Sequence, residues 1–366
     1  MVENNLLFGV GAGNWKVEFP KYGIDKFNYE ARMGKLIFTR PHNDFLGFFS
    51  ELGIIGFVIY CSIFIISAFY LIKLIRYTKE NNEKEKFIVL LLTLLGFAFI
   101  SFFDFPMERI EHKILFFLIM AIICSEYFKV FIKIRLIEKN IAIKKNIRLY
   151  NILTLTFLVF FSLFISIKRY NGEKNTVYIF KAHLNGNWQQ LVRIIDKTKN
   201  NYYQLDPTAV PLDWYKGVAL FALGNLQDAL FVFESAYNFA PYNIHVLNNL
   251  ASTYEKNGFH DKAINFYLKA LAISPEFEES ILNLSAVYFN IKEYEKAFET
   301  INKCSIITTE PKYKLFLPPI LRSYLNILKE KNNLINHNLL KLNNEELVQF
   351  YFDKKNRNIN IARMFL

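Results

Sequence analysis

Long apolar runs dominate the first half of the chain, whereas the second half alternates apolar and polar residues at helical spacing. Four runs are rich in Phe, Ile and Leu and carry few charges: residues 46–72, 87–104, 114–134 and 149–167. A helix needs about 20 mostly apolar residues to cross the hydrocarbon core of a bilayer. The pattern therefore predicts a membrane domain of about four transmembrane helices at 45–168. Four buried helices of a soluble protein would instead show amphipathic stripes, which these runs lack.

Positive charge is concentrated in two of the segments that join the apolar runs. Several Lys and Arg residues lie in the loops at 73–86 and 133–148, whereas the loop at 105–113 balances two basic residues with two glutamates. Because cytoplasmic loops carry the excess of Lys and Arg, the first two loops are predicted to be cytoplasmic. The loop at 1–44 and everything after about residue 170 then lie outside. Since this placement accounts for the net charge of +11, no nucleic-acid partner is expected.

The polar half contains a sequence period of 34 residues. Small residues and a proline recur at this offset: Ala229, Ala236 and Pro241 return as Ala263, Ala270 and Pro275. A glycine returns as well, and a third, weaker copy has Lys292 in its place. This is the tetratricopeptide (TPR) pattern, in which pairs of helices stack into a solenoid. It predicts an all-α repeat domain at 169–335, clearest at 210–243 and 244–277, with a degenerate unit around 182–188 and a helical tail at 336–366.

Solenoids of this kind bind peptides or proteins in a concave groove. Packing of the repeats on their own membrane domain is the alternative, and the sequence leaves both open. The scattered histidines in this half are expected to be surface or packing residues. Three widely separated cysteines, Cys61, Cys124 and Cys304, give no disulfide framework and no metal spacing.

The segment with candidate chemistry, Arg40 to Gly56, enters the first apolar run from outside. A helix that starts near Pro41 places polar side chains down one face, with Glu51 beside it. A titratable His42 near Arg40 and a carboxylate could bind an anionic head group and move a proton. The alternative is an interfacial cap, in which Arg40 lies near headgroup phosphate and His42 and Asn43 satisfy the free end of the helix.

His42-Asn43, nine intervening residues and then Gly53 resembles the signature of the O-antigen ligase family, which includes related polymerases and O-linked oligosaccharyltransferases. The stretches Phe8–Trp15 and Asp104–Met107 are also similar to that family. The resemblance covers about residues 6–125. Family members have further spans before this point, so the resemblance predicts that the chain is the C-terminal portion of a longer protein and a truncated gene product.

The resemblance implies a membrane glycosyltransferase of the bacterial inner membrane, with its loop and TPR domain periplasmic. Such proteins move a glycan from undecaprenyl diphosphate to a lipid, glycan or protein acceptor in surface polysaccharide and lipopolysaccharide biosynthesis. No metal or cofactor is implied, because the lipid diphosphate is the leaving group. The competing hypothesis is a non-enzymatic, membrane-anchored TPR scaffold that binds a protein partner.

The same resemblance implies roles for individual residues. His42 is the candidate catalytic base, and Arg40 the candidate ligand of the diphosphate, because a planar guanidinium binds two oxygens at once. The further substrate-binding candidates are Arg32, Asn43 and Glu51. The glycine-rich run Gly9–Gly13 could offer backbone N–H groups to phosphate, with a flexible loop as the alternative.

Overall fold

The computed structural model describes residues 1–133, 145–305, 308, 310–330, 337–357 and 365. Within these ranges the chain is helical apart from loops and two isolated bridges, which confirms the predicted all-α class. Most of the predicted basic loop between the third and fourth apolar runs falls at 134–144, which lies outside the described residues. The chain forms two compact units: residues 1–19 with 38–170, and residues 20–37 with 171–366.

Four helices carry the four apolar runs, and we number them in chain order. They are α1 (Asp44–Tyr77), α2 (Asn81–Phe103), α3 (Ile110–Tyr127, continued by a π-helical stretch at Phe128–Lys133) and α4 (Lys145–Leu184). In the part of the chain that the structure describes, these four are long and apolar enough to cross a membrane. Most extend beyond the runs because the flanking polar residues continue the helix.

Helices α1 to α3 pack on an aromatic core and leave apolar side chains on their outer surfaces. The buried side chains include Tyr60, Phe64, Phe97 and Phe116. Tyr60 also donates to Ser101 across the α1–α2 contact, at 3.4 Å. Many large apolar residues on the same helices are exposed, and a surface of this extent is expected for helices surrounded by lipid.

Helix α1 is interrupted at Gly53, which has φ 67° and ψ −165°. The break frees backbone groups that the segment 6–11 satisfies: Leu6 O accepts from Ile54 N (2.8 Å), Val10 N donates to Ser50 O (3.0 Å), and Gly11 N donates to Glu51 O (2.8 Å). A Cβ atom at position 53 would lie 2.3 Å from the Leu7 carbonyl oxygen. Only glycine combines this positive φ with such a close backbone approach, which explains the glycine of the His-Asn-x9-Gly spacing.

The second unit is a stack of helical pairs. Its helices are α5 (Trp188–Thr198), α6 (Leu212–Ala222), α7 (Leu226–Phe239), α8 (Ile244–Lys256), α9 (His260–Ile273), α10 (Glu278–Asn290), α11 (Tyr294–Ile301), α12 (Pro311–Glu330) and α13 (Asn344–Asn356). The repeated alanines of α7 and α9 have no exposed surface. Phe233 and Tyr267 are buried against the first helix of their own pair, Phe233 beside Gly217 and Tyr267 beside Ser252. The small and aromatic residues that define the 34-residue period are therefore packed inside the stack.

The segment 20–37 departs from the expectation of one continuous loop at 1–44, because it groups with the repeats. It contains a short helical turn, Tyr29–Arg32, which Asn28 caps by accepting from Ala31 N at 3.0 Å. Ile24, Ala31 and Met33 are buried. These apolar side chains explain the grouping, since they are removed from water only by packing on the second unit.

Candidate functional site

Three basic side chains collect around one aromatic ring at the start of α1. The guanidinium carbons of Arg40 and Arg109 lie 4.7 and 5.2 Å from the centroid of the Phe105 ring. The His42 ring meets Phe105 edge to face, with centroids 5.0 Å apart. Arg109 pairs with Asp104 at 2.7 Å and Arg40 with Glu108 at 3.8 Å. We call Arg40, His42, Phe105 and Arg109 the Phe105 cluster.

Hydrogen bonds from the start of α1 to the end of α2 and to the loop at 104–109 hold this cluster together. Asn43 caps α1 by accepting from Leu46 N at 2.9 Å, and its Nδ2 donates to Phe102 O at 2.9 Å. The buried Asp44 accepts from Met107 N at 3.0 Å. Both groups of the Asn43 carboxamide are thus engaged within the protein, and this residue positions the cluster. His42 is exposed.

Two of the predicted substrate-binding residues have other partners in the structure. The Glu51 carboxylate accepts from Gly13 N at 2.9 Å and from Trp15 N at 3.2 Å. The glycine-rich run is therefore an ordered loop, with backbone N–H groups directed at Glu51 and at the carbonyls beside the break in α1. Arg32 belongs to the second unit, where its guanidinium pairs with Glu276 at 2.6 Å. The structure brings Arg40 and His42 together and places Arg32 and Glu51 in separate interactions.

A second candidate site is the concave groove of the repeat unit. Its volume is about 580 Å³, and it is lined mostly by the first helices of successive pairs, α6, α8, α10 and α12, with Phe233 of α7 and Glu310 completing the lining. Phe221 and Phe316 contribute apolar surface. Polar side chains between them include Asn249, Ser252 and Lys256. An open groove with a partly apolar lining and polar groups along its length suits an elongated ligand.

Amide side chains link three neighbouring helices along this groove. Asn248 accepts from Asn283 Nδ2 at 3.2 Å and from Ser280 Oγ at 3.0 Å. Asn283 in turn accepts from Lys312 Nζ at 3.1 Å. The exposed Lys312 places a positive charge at one end of this row. We call Asn248, Asn283 and Lys312 the groove amide row.

One carboxyl group of the groove has an altered protonation equilibrium. Burial raises the pKa of Glu255, which accepts from Tyr267 Oη at 3.4 Å. Tyr267 also bonds Ser252, with the two hydroxyl oxygens 2.8 Å apart. Burial disfavours the carboxylate form of Glu255, whereas the hydrogen bond from Tyr267 favours it.

Sequence reasoning missed Phe105 and Arg109 in the first site and the groove amide row in the second. For the groove a signal was present, since Asn249 and Asn283 both line it and are 34 residues apart. Polar residues at equivalent positions of the first repeat helix were available as groove candidates. For Arg109 the sequence provides no comparable periodic signal.

A family model for the tetratricopeptide repeat matches residues 244–277. These residues form helices α8 and α9 and coincide with one of the two clearest predicted repeats. The chain therefore contains a tetratricopeptide repeat, and the helical pairs on either side of it continue the same stack.

Two curated relatives from plants match part of the chain. Hsp70-Hsp90 organizing protein 3 of Arabidopsis thaliana is 25% identical over 40% of this chain, and Hsp70-Hsp90 organizing protein of Triticum aestivum is 30% identical over 29% of it. The chain spans 26% and 18% of the lengths of these relatives.

Similar solved structures include a tetratricopeptide repeat protein from Parabacteroides merdae, with 21% identity, a TM-score of 0.37, and coverage of 51% of this chain and 75% of that one. A structure of MamA from MSR-1 gives 17% identity and a TM-score of 0.38, with coverage of 49% and 97% respectively.

Proposed function

We propose that this chain is a membrane-anchored TPR protein that binds an extended segment of a partner protein in its concave groove. The observation that carries the proposal is the groove amide row, which runs across α8, α10 and α12 beside the apolar side chains of Phe221 and Phe316. The four apolar helices provide the anchor. The two curated relatives are named as organizers of other proteins, and a protein partner is in keeping with those names.

The chemistry of the groove favours an extended polypeptide. A carboxamide has two N–H donors and two acceptor lone pairs. Beside their hydrogen bonds within the groove, Asn249 and Asn283 therefore each keep a donor and an acceptor position for a peptide main chain. Apolar side chains of that peptide would pack on the phenylalanines, and Lys312 would attract an acidic residue. Side chains at alternating positions of the peptide would then set specificity.

The test is a decapeptide array probed with the purified full chain in detergent micelles. Peptides retained by the wild type are measured again with Asn283→Ala and Lys312→Ala. Each variant is expected to weaken binding by about tenfold, because a hydrogen bond to a main-chain or charged group is lost. Lys314→Ala, an exposed change on the same helix outside the groove lining, is the matched control and should bind as the wild type does. Peptide binding that is absent, or equal in all three variants, would remove the groove as the site.

A second function is favoured by one specific observation, the Phe105 cluster. We propose that Arg40 and Arg109 bind the diphosphate of a lipid-linked glycan and that His42 accepts the proton of the acceptor hydroxyl. The new glycosidic bond then forms at the sugar carbon as its bond to the diphosphate oxygen breaks. Two guanidiniums beside one exposed imidazole are the residue types that this reaction needs, and they lie at the start of α1, the first of the four apolar helices.

This function is tested by measuring glycan attachment in a strain that lacks its own glycan transferase. The full-length gene product, or its variant, is supplied to that strain. His42→Ala is expected to abolish transfer while leaving the protein level unchanged on an immunoblot, because His42 is exposed. Wild-type transfer by a well-expressed His42→Ala protein would leave the interfacial-cap interpretation in its place.

A further inference from the structure

The segment 20–37 is bound to the turns that join consecutive repeat pairs. Ile24 N donates to Ile273 O at 3.0 Å, and Ser274 Oγ donates to Arg32 O at 2.6 Å. His245 Nε2 lies 3.0 Å from Gly34 O. These contacts involve both ends of the segment and two successive turns of the solenoid. We call Tyr242, His245, Ile273, Ser274 and Glu276 the turn edge.

Charge and apolar burial accompany the main-chain contacts. Arg32 pairs with Glu276 at 2.6 Å, and only 25% of the arginine side chain is exposed. The Lys21 ammonium lies 5.4 Å from the centre of the Tyr242 ring. Ala31 is fully buried and Met33 is 7% exposed. The segment thus meets the turn edge with hydrogen bonds, an ion pair, a cation–π contact and buried apolar side chains, as a bound peptide meets its receptor.

The fit is close at Gly34. A Cβ atom at this position would lie 2.4 Å from His245 Nε2 and 2.9 Å from Ile244 Cδ1. Gly34 also has φ 72°, which side chains rarely adopt. The turn edge therefore accepts a particular sequence at this point and excludes a larger residue.

We propose that the turn edge is a second binding surface of the repeat unit, separate from the concave groove, and that residues 20–37 are its resident ligand held in cis. The inference does not depend on a partner in the groove, because none of the turn-edge residues lines the groove. The bound segment acts as a strap.

Hydrogen–deuterium exchange of the full chain in detergent tests the cis contact. Peptides from 20–37 should exchange slowly in the wild type. Ser274→Val removes the hydroxyl that donates to Arg32 O, and Glu276→Arg places a second positive charge opposite Arg32. Each change should speed hydrogen exchange of residues 20–37 by about tenfold. The charge swap R32E with E276R should restore slow exchange. Glu299→Arg, an exposed reversal on α11, is the control and should leave the segment protected.

A binding experiment in trans tests the surface itself. Residues 20–37 are replaced in the full chain by a Gly-Ser linker of the same length, and a fluorescent synthetic peptide of residues 20–37 is added. The linker variant should bind the peptide, and a peptide with Gly34→Val should bind about tenfold more weakly or not at all. When Glu276→Arg is added to the linker variant, the protein should bind a peptide carrying Arg32→Glu more tightly than the wild-type peptide. Lys312→Ala in the groove should leave peptide binding unchanged.

Two results would overturn the proposal. One is exchange of wild-type 20–37 as fast as that of the free peptide. The other is a linker variant that fails to bind the peptide although slow exchange in α8 and α9 shows that its repeats are folded. Weaker peptide binding in the Lys312→Ala variant would assign the peptide to the groove and would also reject the turn edge.

Discussion

Lys292 adopts the backbone conformation that Gly258 adopts in the preceding repeat. The two residues are 34 positions apart, and their φ angles are 65° and 80°. Gly224, one repeat earlier, has φ 82°. Each residue lies in the tight turn between the two helices of a pair. The third repeat therefore keeps the turn geometry of the others with a side chain that disfavours it, since a non-glycine residue at positive φ costs about 1–2 kcal/mol.

Replacing Lys292 by glycine is expected to stabilise the pair α10–α11. The gain should be about 1 kcal/mol, less a few tenths for the greater backbone entropy that glycine loses on folding. The measurement is local hydrogen exchange in α10 and α11, which should slow. Gly258→Lys is the converse change and should speed exchange in α8 and α9 by a similar factor. Faster exchange in Lys292→Gly would show that the lysine side chain makes a compensating contact.

The repeats could be predicted because their signals are local. A glycine at one turn, an alanine at one packing position and a proline at one helix end recur with fixed spacing, and the structure confirms the packing of Ala229 and Ala263. The break in α1 at Gly53 and the binding of 20–37 to the turn edge were not predicted. Both depend on contacts between segments far apart in sequence, for which apolar runs and spacing carry no information.

Gly53→Ala should destabilise the first unit more than an ordinary helix substitution. The positive φ alone costs about 1–2 kcal/mol, and the added methyl group would meet the backbone of Leu7, which cannot move without losing the hydrogen bond from Ile54 N to Leu6 O. We expect a loss of at least about 2 kcal/mol. This loss of stability is measured as a lower temperature of thermal unfolding in detergent and as faster tryptic cleavage after Lys16.

Gly96→Ala is the matched control for this glycine change. Gly96 lies within α2, and a Cβ atom there would meet no heavy atom within 4 Å. Because alanine has the higher helix propensity, this variant should be as stable as the wild type or more stable. If Gly53→Ala unfolds at the same temperature as Gly96→Ala, the segment 6–11 does not hold the break in the manner described.

Arg109→Lys should impair glycan transfer as much as Arg40→Lys, if the Phe105 cluster binds a diphosphate. An ammonium cannot form the two parallel hydrogen bonds of a guanidinium, and a loss of about tenfold in transfer is expected from each change. Lys113→Ala, one helical turn further along α3 and exposed, is the control and should keep full activity. Activity that survives Arg109→Lys but not Arg40→Lys would restrict anion binding to Arg40.

The candidate site was only partly accessible to sequence reasoning. Arg40 and His42 are neighbours in the chain, so their shared location followed from the extended Arg-Pro-His segment. Arg109 and Phe105 reach the same place through the loop after α2, which Asn43 and Asp44 fix by hydrogen bonds to Phe102 O and Met107 N. The family resemblance covers Phe105 within Asp104–Met107, but nothing in the local sequence marks Arg109 as a partner of His42.

Lys355 of α13 closes the end of the repeat stack by donating to main-chain carbonyls. Its ammonium lies 2.7 Å from Asn302 O and 2.6 Å from Cys304 O, and 3.1 Å from Tyr351 Oη. Burial lowers the pKa of the Lys355 ammonium to about 8 from its usual 10.5. The neighbouring Cys304 and Tyr313 do not titrate in the same range, because burial raises the pKa of each to about 12.

The stability of the wild type relative to Lys355→Met should rise with pH between about 8 and 10. In this window the unfolded chain still holds the proton that the folded protein has released, so the unfolded state binds more protons and stability increases with pH. From about pH 7 to about pH 9.5 the gain should be on the order of 1–2 kcal/mol. Below about pH 8 the cost of burying the charge is fully present.

Urea unfolding of the wild type and of Lys355→Met across this pH range measures the difference in stability. Lys354→Met, which removes a charge from the adjacent position, is the matched comparison. A difference that stays level or falls with pH would show that the carbonyls of Asn302 and Cys304 keep Lys355 charged.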